Sequence, residues 1–208
     1  MSRLTAMCLA ASVALGILCG NGCSNTPAPP PRQKLDPQAA AKAAMAAYDA
    51  DHNGVLDAKE LEKSPPLQVA LKNMGGDAAG GLKEAAIAAR MSNWLKSSAI
   101  IMNLPISVTL DGSPLDGATV TFDPEPFLGS GYTACSGVTD KAGTVYLKGP
   151  LEKFSGIYVG LYRVRISKKL NGQETIPARY NTETTLGYEM AGDMKRATAM
   201  PAFDLQSQ

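Results

Sequence analysis

The sequence predicts an α+β protein made of two domains, a small helical domain followed by an antiparallel β-sandwich. Residues 37–98 are rich in Ala, Lys, Leu and Met at helical spacing. Residues 99–208 alternate apolar and polar side chains, with Gly and Pro turns about every ten residues. The chain has 208 residues, 45% of them hydrophobic, which is enough for one sizeable core or two small ones.

The N-terminal residues 1–23 are predicted to be a lipoprotein-type signal peptide. A basic start precedes an uncharged, mostly apolar run, Leu4–Leu18. This run is shorter than the roughly 20 apolar residues that a transmembrane helix needs. Cys23 follows a small residue and precedes a polar Ser-Asn pair, as the lipidated cysteine of bacterial lipoproteins does, although Gly20 stands where that motif usually has Leu. Simple cleavage and an uncleaved anchor are the alternatives to lipidation at Cys23.

Residues 24–36 are predicted to be a Pro-rich linker that holds the folded part away from a membrane. Four prolines lie in the segment 25–32, and Pro-rich segments are extended. We therefore expect an exported protein, lipid-anchored to a bacterial membrane and facing the periplasm or the cell exterior. Cys135 is the one cysteine after residue 23, so the folded part cannot form an internal disulfide, and a lone cysteine is more often a core residue than a nucleophile.

Residues 49–60 match the twelve-residue calcium loop of the EF-hand at every diagnostic position. Ca²⁺ takes six to eight oxygen ligands, and this spacing supplies them from one tight turn. Gly54 permits the bend, Leu56 anchors the loop in the core, and His52 faces solvent. An acidic turn without metal is the alternative. The predicted calcium ligands are Asp49, Asp51, Asn53, the Val55 carbonyl, Asp57 through a water, and Glu60 with both oxygens.

A second, degenerate loop is predicted at 75–86, with Leu82 as the equivalent of Leu56 and Gly80 at the bend. Gly or Ala replaces the ligands at the first, fifth and twelfth positions of this frame, so ordinary coordination is excluded there. We expect a vestigial partner that completes an EF-hand pair over residues 37–98. The helices of this second hand are predicted at 66–73 and 83–96.

The second half of the chain carries about seven or eight short strands, which indicates an antiparallel sandwich. Its alternation is clearest in three segments: Ile106–Leu110, Ala118–Phe122 and Tyr162–Ile166. A last strand is expected at Phe203–Leu205.

Several of these segments resemble the carboxypeptidase regulatory-like family, a transthyretin-like Greek-key sandwich. The resembling segments are 108–118, 120–122, 139–143 and 160–164. The whole chain is similar to a group of predicted bacterial lipoproteins that join an EF-hand region to such a sandwich, and residues 176–187 look like that group's characteristic segment. The resemblance implies a small EF-hand-type helical domain followed by an antiparallel Greek-key β-sandwich. It implies little about activity, because domains of this family serve mainly as non-catalytic adjuncts.

Composition and motifs exclude several classes of function. A formal charge of +1 provides no basic field for nucleic acid. The chain has one histidine, His52 in the calcium loop, which argues against Ser-His-Asp, Cys-His and zinc-peptidase chemistry. The expected function is therefore that of a calcium-binding cell-envelope lipoprotein without catalytic activity. Its structural or interaction role would involve the membrane, through the lipid, and an envelope protein or glycan.

Two alternative functions remain open from the sequence. One is a peptide- or glycan-binding module that uses the polar cluster in residues 179–185. The other is a small hydrolase that uses the paired carboxylates of Asp123 and Glu125.

Overall fold

The computed structural model describes residues 30–77, 79–149, 151, 154–193 and 201–208. The predicted signal peptide, Cys23 and the start of the linker lie outside the described residues. Within the described part of the chain, no helix is both long enough and apolar enough to cross a membrane.

The helices precede the main strands, and each of the two loops contains a short strand. Asp36 caps the first helix by accepting hydrogen bonds from the backbone N–H groups of Gln38 and Ala39, and Pro37 occupies the first helical turn. The elements are α1 (Pro37–Tyr48), β1 (Val55–Leu56), α2 (Ala58–Leu61), α3 (Pro65–Asn73), β2 (Leu82–Lys83) and α4 (Glu84–Lys96).

The remaining strands form two larger sheets and two small ones. Their bounds are β3 (Ile101–Met102), β4 (Ile106–Leu110), β5 (Ser113–Pro114), β6 (Thr119–Pro124), β7 (Cys135–Val138), β8 (Thr144–Val145), β9 (Ile157–Tyr158), β10 (Gly160–Ser167), β11 (Lys169–Leu170), β12 (Gln173–Glu174), β13 (Gly187–Met190) and β14 (Ala202–Leu205). We call the four-stranded sheet β13-β10-β6-β7 the first sheet, and the sheet β14-β4-β5, in which β8 also pairs with β4, the second sheet.

The predicted α+β fold class is confirmed, because the described residues combine four helices with sheets that are mostly antiparallel. One pair departs from the wholly antiparallel prediction, since β14 runs parallel to β4. The two sheets face each other through aromatic rings: Phe122 lies 6.2 Å from Phe203 between ring centroids, and Tyr188 lies 6.4 Å from Phe203.

The helices cover the other face of the first sheet. Strand alternation in β10 directs Tyr162 toward the second sheet and Leu161 toward the helices, where Leu161 lies beside Leu67 and Trp94. Buried residues from the helices and from both sheets form one connected core. Of the two possibilities that the composition allowed, the structure therefore has the single core, and the division into domains at residues 98 and 99 stays a prediction.

A helix and a strand approach each other closely at Gly187 in β13. A Cβ atom built there would lie 2.3 Å from the backbone carbon of Pro65 and 2.4 Å from the nitrogen of Pro66, at the start of α3. Only glycine lets the backbones come so near, so the position of α3 on the sheet depends on it.

We expect Gly187→Ala to destabilise the protein by about 1–3 kcal/mol, because a backbone clash cannot be relieved by a rotamer change. Urea denaturation of the full chain measures the loss. Gly80→Ala is the control, since a Cβ there meets its nearest atom at an ordinary 3.6 Å. Equal stability of both variants with the wild type would contradict the close packing of α3 on β13.

Candidate metal centre

The loop at residues 49–60, which follows α1 and continues into α2, brings three carboxylates together. Oxygen atoms of Asp49, Asp51 and Glu60 all lie within 4.8 Å of one another. Asp49 and Glu60 are only 8% and 6% exposed, whereas Asp51 is open to solvent. Among the described residues this is the one group of three or more His, Cys, Asp or Glu side chains with such spacing.

Backbone N–H groups hold the loop in this shape. Asp49 accepts hydrogen bonds from the N–H groups of Asn53 and Gly54, at 3.1 and 3.0 Å. Gly54 has a φ of +82°, which permits the bend predicted there. Glu60 accepts from the N–H of Ala50, at 2.6 Å, so the last acidic residue of the loop reaches back to its beginning.

The beginning of α2 overlaps the end of the loop. The Asp57 carboxylate accepts from the N–H of Glu60 at 2.8 Å, and the Glu60 carboxylate accepts from the N–H of Asp57 at 3.1 Å. This reciprocal pair is a capping box, which favours initiation of the helix. The rotamer of Glu60 is therefore set by helix capping and loop closure together.

The six predicted ligands occupy the same loop, and three of them form the carboxylate group. Asn53 lies beside it and donates from its side-chain nitrogen to Asp51 at 2.8 Å. Val55 is in β1, and Asp57 caps α2 instead of joining the three carboxylates.

The donor set suits a hard cation. Its three carboxylates provide only oxygen ligands, and hard cations such as Ca²⁺ prefer oxygen. The loop could therefore hold a metal ion, whereas a thiolate or imidazole site is not formed there.

The second loop pairs with the first through the short strands β1 and β2. Leu56 is opposite Leu82 in this antiparallel pair, which is the pairing that the predicted equivalence of the two leucines implies. Both side chains are buried. The bend differs from the prediction, because the left-handed residue is Gly81, with φ of +62°, and not Gly80. A side chain at Gly81 would meet Val55, so the strand pairing itself requires glycine there.

The polar cluster of residues 179–185 holds the end of the chain. Arg179 donates to the backbone carbonyls of Gln206 and Gln208, and its guanidinium lies 4.8 Å from the centre of the Tyr180 ring. The Tyr180 hydroxyl accepts from the N–H of Gln206 at 3.2 Å. Both side chains are therefore engaged in fixing the segment after β14.

The paired carboxylates at the end of β6 are both bound to arginines. Asp123 pairs with Arg165 at the surface. Glu125 is 1% exposed and forms an ion pair with Arg163 at 3.2 Å. In this arrangement Glu125 is closed to solvent.

Cys135 is a buried free thiol in β7. Burial raises the pKa of this thiol from 9.0 to about 11. Because folding disfavours the thiolate, the stability that the neutral thiol contributes is complete below the unfolded pKa and is lost as the pH rises toward about 11.

We expect Cys135 to resist alkylation in the native chain at pH 8, where only about one thiol in a thousand is ionised. Iodoacetamide labelling followed by peptide mass spectrometry measures this. The same peptide in urea serves as the control and should label readily. Equal labelling rates in the two conditions would show that Cys135 is accessible.

The sequence did not predict the roles that two buried carboxylates have in the structure. Glu189 in β13 is fully buried, and it accepts from Arg90 at 2.6 Å, from the Trp94 indole at 3.0 Å and from the Asn73 amide at 2.7 Å. Glu125 was noted only as half of a carboxylate pair. Alternation along β13 places Glu189 and Tyr188 on opposite faces of the first sheet. The face of Glu189 is buried because α3 and α4 cover it, and the sequence did not indicate that cover.

Comparison with known protein families, with curated proteins and with solved structures found no match for this chain.

Proposed function

We propose that this chain is a calcium-binding lipoprotein of the bacterial cell envelope with a structural or interaction role and no catalytic activity. The observation that carries the proposal is the approach of the Asp49, Asp51 and Glu60 carboxylates to within 4.8 Å in a loop with EF-hand spacing. Two like charges about 4 Å apart repel by roughly 1–4 kcal/mol near a protein surface. A bound divalent cation converts this repulsion into attraction.

The same proposal assigns an EF-hand pair to residues 37–98, with a degenerate second hand, and a carboxypeptidase regulatory-like Greek-key sandwich to residues 99–208. Pairing of β1 with β2 supports the first assignment, because EF-hand loops pair through short strands. The two facing sheets support the second.

A structural role fits the loop better than a sensing role. Extracellular calcium modules bind at about 10⁻⁴–10⁻³ M, a range suited to permanent occupancy outside the cytoplasm. The helices that flank the loop are part of the single core, so calcium bound there stabilises the whole folded protein.

Attachment to a membrane through Cys23 rests on the N-terminal sequence pattern. The described end of the linker lies against the folded part: Arg32 donates to the carbonyl of Leu95 at 3.1 Å, and the Tyr158 hydroxyl donates to the carbonyl of Pro31 at 3.2 Å. A lipid tether would leave the protein from this side. The expected partners are the membrane and an envelope protein or glycan, without nucleic acid.

The alternative functions gain no structural observation in their favour. Arg179 and Tyr180, which the peptide- or glycan-binding alternative needs, are engaged with the chain end. Glu125, which the hydrolase alternative needs, is buried and accepts hydrogen bonds from the hydroxyls of Tyr48 and Ser64.

A calorimetric calcium titration of the metal-free full chain in mild detergent tests the proposal. We expect one binding event. At a calcium concentration one hundred times the dissociation constant, binding contributes about 2.7 kcal/mol, which raises the melting temperature by about 5–10 °C. Magnesium is the control cation. No heat and an unchanged melting temperature at millimolar calcium would show that the loop is a turn without metal.

Expression in a bacterial host tests the anchor separately. We expect the wild type in the membrane fraction, with an acylated N-terminal Cys23 by mass spectrometry, and Cys23→Ala without the lipid. An unmodified Cys23 in the wild type would favour simple cleavage or an uncleaved anchor.

A further inference from the structure

A single carboxylate on the first sheet contacts both sides of the loop at residues 49–60, which we call the metal loop. Glu125 follows β6 and is buried. The hydroxyl of Tyr48, the residue immediately before the loop, donates to Glu125 Oε2 at 2.6 Å. The hydroxyl of Ser64, between α2 and α3, donates to Glu125 Oε1 at 2.8 Å. Glu125 therefore joins the segment that enters the loop to the segment that leaves α2.

Arg163 in β10 repeats this connection with a second set of bonds. Its guanidinium donates to the Tyr48 hydroxyl at 3.1 Å and to the backbone carbonyl of Lys63. It also pairs with Glu125 at 3.2 Å. Because the donors and acceptors form one closed network, Tyr48 and the Lys63–Ser64 segment are held at a fixed separation by the sheet.

We propose that Glu125 and Arg163 are positioning residues that set the calcium affinity of the loop from outside it. The inference rests on the proposed function, since it assumes that the loop binds calcium. The first and last carboxylates of the loop must meet for an ion to bind, and bringing chain ends together has an entropic cost. Where the folded protein already holds those ends, the cost is met during folding and affinity rises accordingly.

The chain provides a matched comparison at the other end of the same interface. Glu189 is also a buried carboxylate on the first sheet that pairs with an arginine and binds helix side chains. Its partners Asn73, Arg90 and Trp94 belong to α3 and α4, and none lies in the metal loop or beside it. Loss of either carboxylate weakens the helix–sheet interface, but only Glu125 touches both flanks of the loop.

Calorimetric calcium titrations of the full chain in mild detergent test the proposal. We expect Glu125→Gln to weaken binding about tenfold, because the amide loses the charge that pairs with Arg163 and keeps one acceptor oxygen where the carboxylate serves both Tyr48 and Ser64 with two. We expect about threefold weaker binding for Tyr48→Phe, which removes one hydroxyl and keeps the ring. Glu189→Gln should lower the melting temperature but leave the affinity within about twofold of the wild type.

A second readout uses the protein without metal. In calcium-free buffer, the amides of Asn53 and Gly54 should exchange with deuterium faster in Tyr48→Phe and Ser64→Ala than in the wild type. Glu189→Gln should leave their exchange unchanged. If Glu125→Gln does not fold, Tyr48→Phe and Ser64→Ala still test whether the network positions the loop.

The outcomes separate this inference from the proposed function. A wild type that binds no calcium overturns both. A wild type that binds calcium, together with Glu125→Gln and Tyr48→Phe variants of unchanged affinity, overturns the inference alone. Equal losses of affinity in Glu125→Gln and Glu189→Gln also overturn it, because they would show a general effect of interface stability.

Discussion

Replacing Glu60 by glutamine is expected to abolish calcium binding by the full chain at millimolar calcium. At the twelfth loop position a glutamate clamps the ion with both carboxylate oxygens, and an amide offers only one oxygen. The same replacement places an N–H₂ donor near backbone N–H groups, because Glu60 accepts from Ala50 and from Asp57 through its two oxygens. The variant therefore loses a charge, a ligand atom and part of the loop geometry.

Titration calorimetry and thermal melting measure the effect of Glu60→Gln. We expect no binding heat, and we expect the calcium-dependent rise in melting temperature, about 5–10 °C in the wild type, to disappear. Glu62→Gln is the matched control, because Glu62 is exposed two residues away and should leave both quantities unchanged. Binding of wild-type affinity in Glu60→Gln would mean that the ion uses other groups.

The meeting of the carboxylates in the loop at residues 49–60 could be predicted because its determinants are local. Twelve consecutive residues determine which carboxylates meet and where the chain bends. The pairing of Leu56 with Leu82 was also predictable, since a second frame of the same length places the two leucines at equivalent positions. The helices predicted at 66–73 and 83–96 are observed at Pro65–Asn73 and Glu84–Lys96.

Contacts between distant segments could not be predicted in the same way. Alternation in the strands identified the buried faces of Phe122 and Tyr162, but it could not show that α3 and α4 cover the opposite face. The last strand, around Phe203, was expected, whereas its parallel pairing with β4 was not. Alternation has the same period in parallel and antiparallel strands, so it carries no information about direction.

The bend of the second loop shows another limit of prediction from the sequence. Gly80 and Gly81 are adjacent, and the EF-hand frame favours Gly80 as the left-handed residue. The structure selects Gly81, whose missing side chain lets β2 approach Val55 and Leu56. Strand pairing between the two loops thus determines which glycine is left-handed, and the twelve-residue EF-hand frame alone would have assigned the other one.

Replacing Glu189 by alanine is expected to destabilise the protein by about 3–5 kcal/mol, because it leaves buried polar groups without their partner. The Arg90 side chain is 9% exposed and, among the described residues, would retain Asp193 as its one acidic partner, which is itself 51% exposed. The indole N–H of Trp94 and the amide of Asn73 would also lose their acceptor. All three donors belong to α3 and α4, so the loss falls on the attachment of these helices to the first sheet.

Urea denaturation and thermal melting of the calcium-free chain measure this loss, and the melting temperature should fall by about 10 °C. Glu183→Ala is the control, since Glu183 is exposed and should change stability by less than about 0.5 kcal/mol. A loss below about 1 kcal/mol in Glu189→Ala would show that the bonds of Glu189 contribute little to holding α3 and α4 on the first sheet.

A double variant separates the penalty of an unpaired charge from the value of the ion pair. Arg90→Met combined with Glu189→Leu removes both charges and fills the space with apolar atoms, and we expect it to recover most of the stability lost in Glu189→Ala. Buried ion pairs replaced together by apolar residues are often neutral for stability, because the desolvation of two charges offsets much of their attraction. A double variant as unstable as Glu189→Ala would instead show that the bonds to Trp94 and Asn73 orient α3 and α4, since those donors lose their acceptor in both variants.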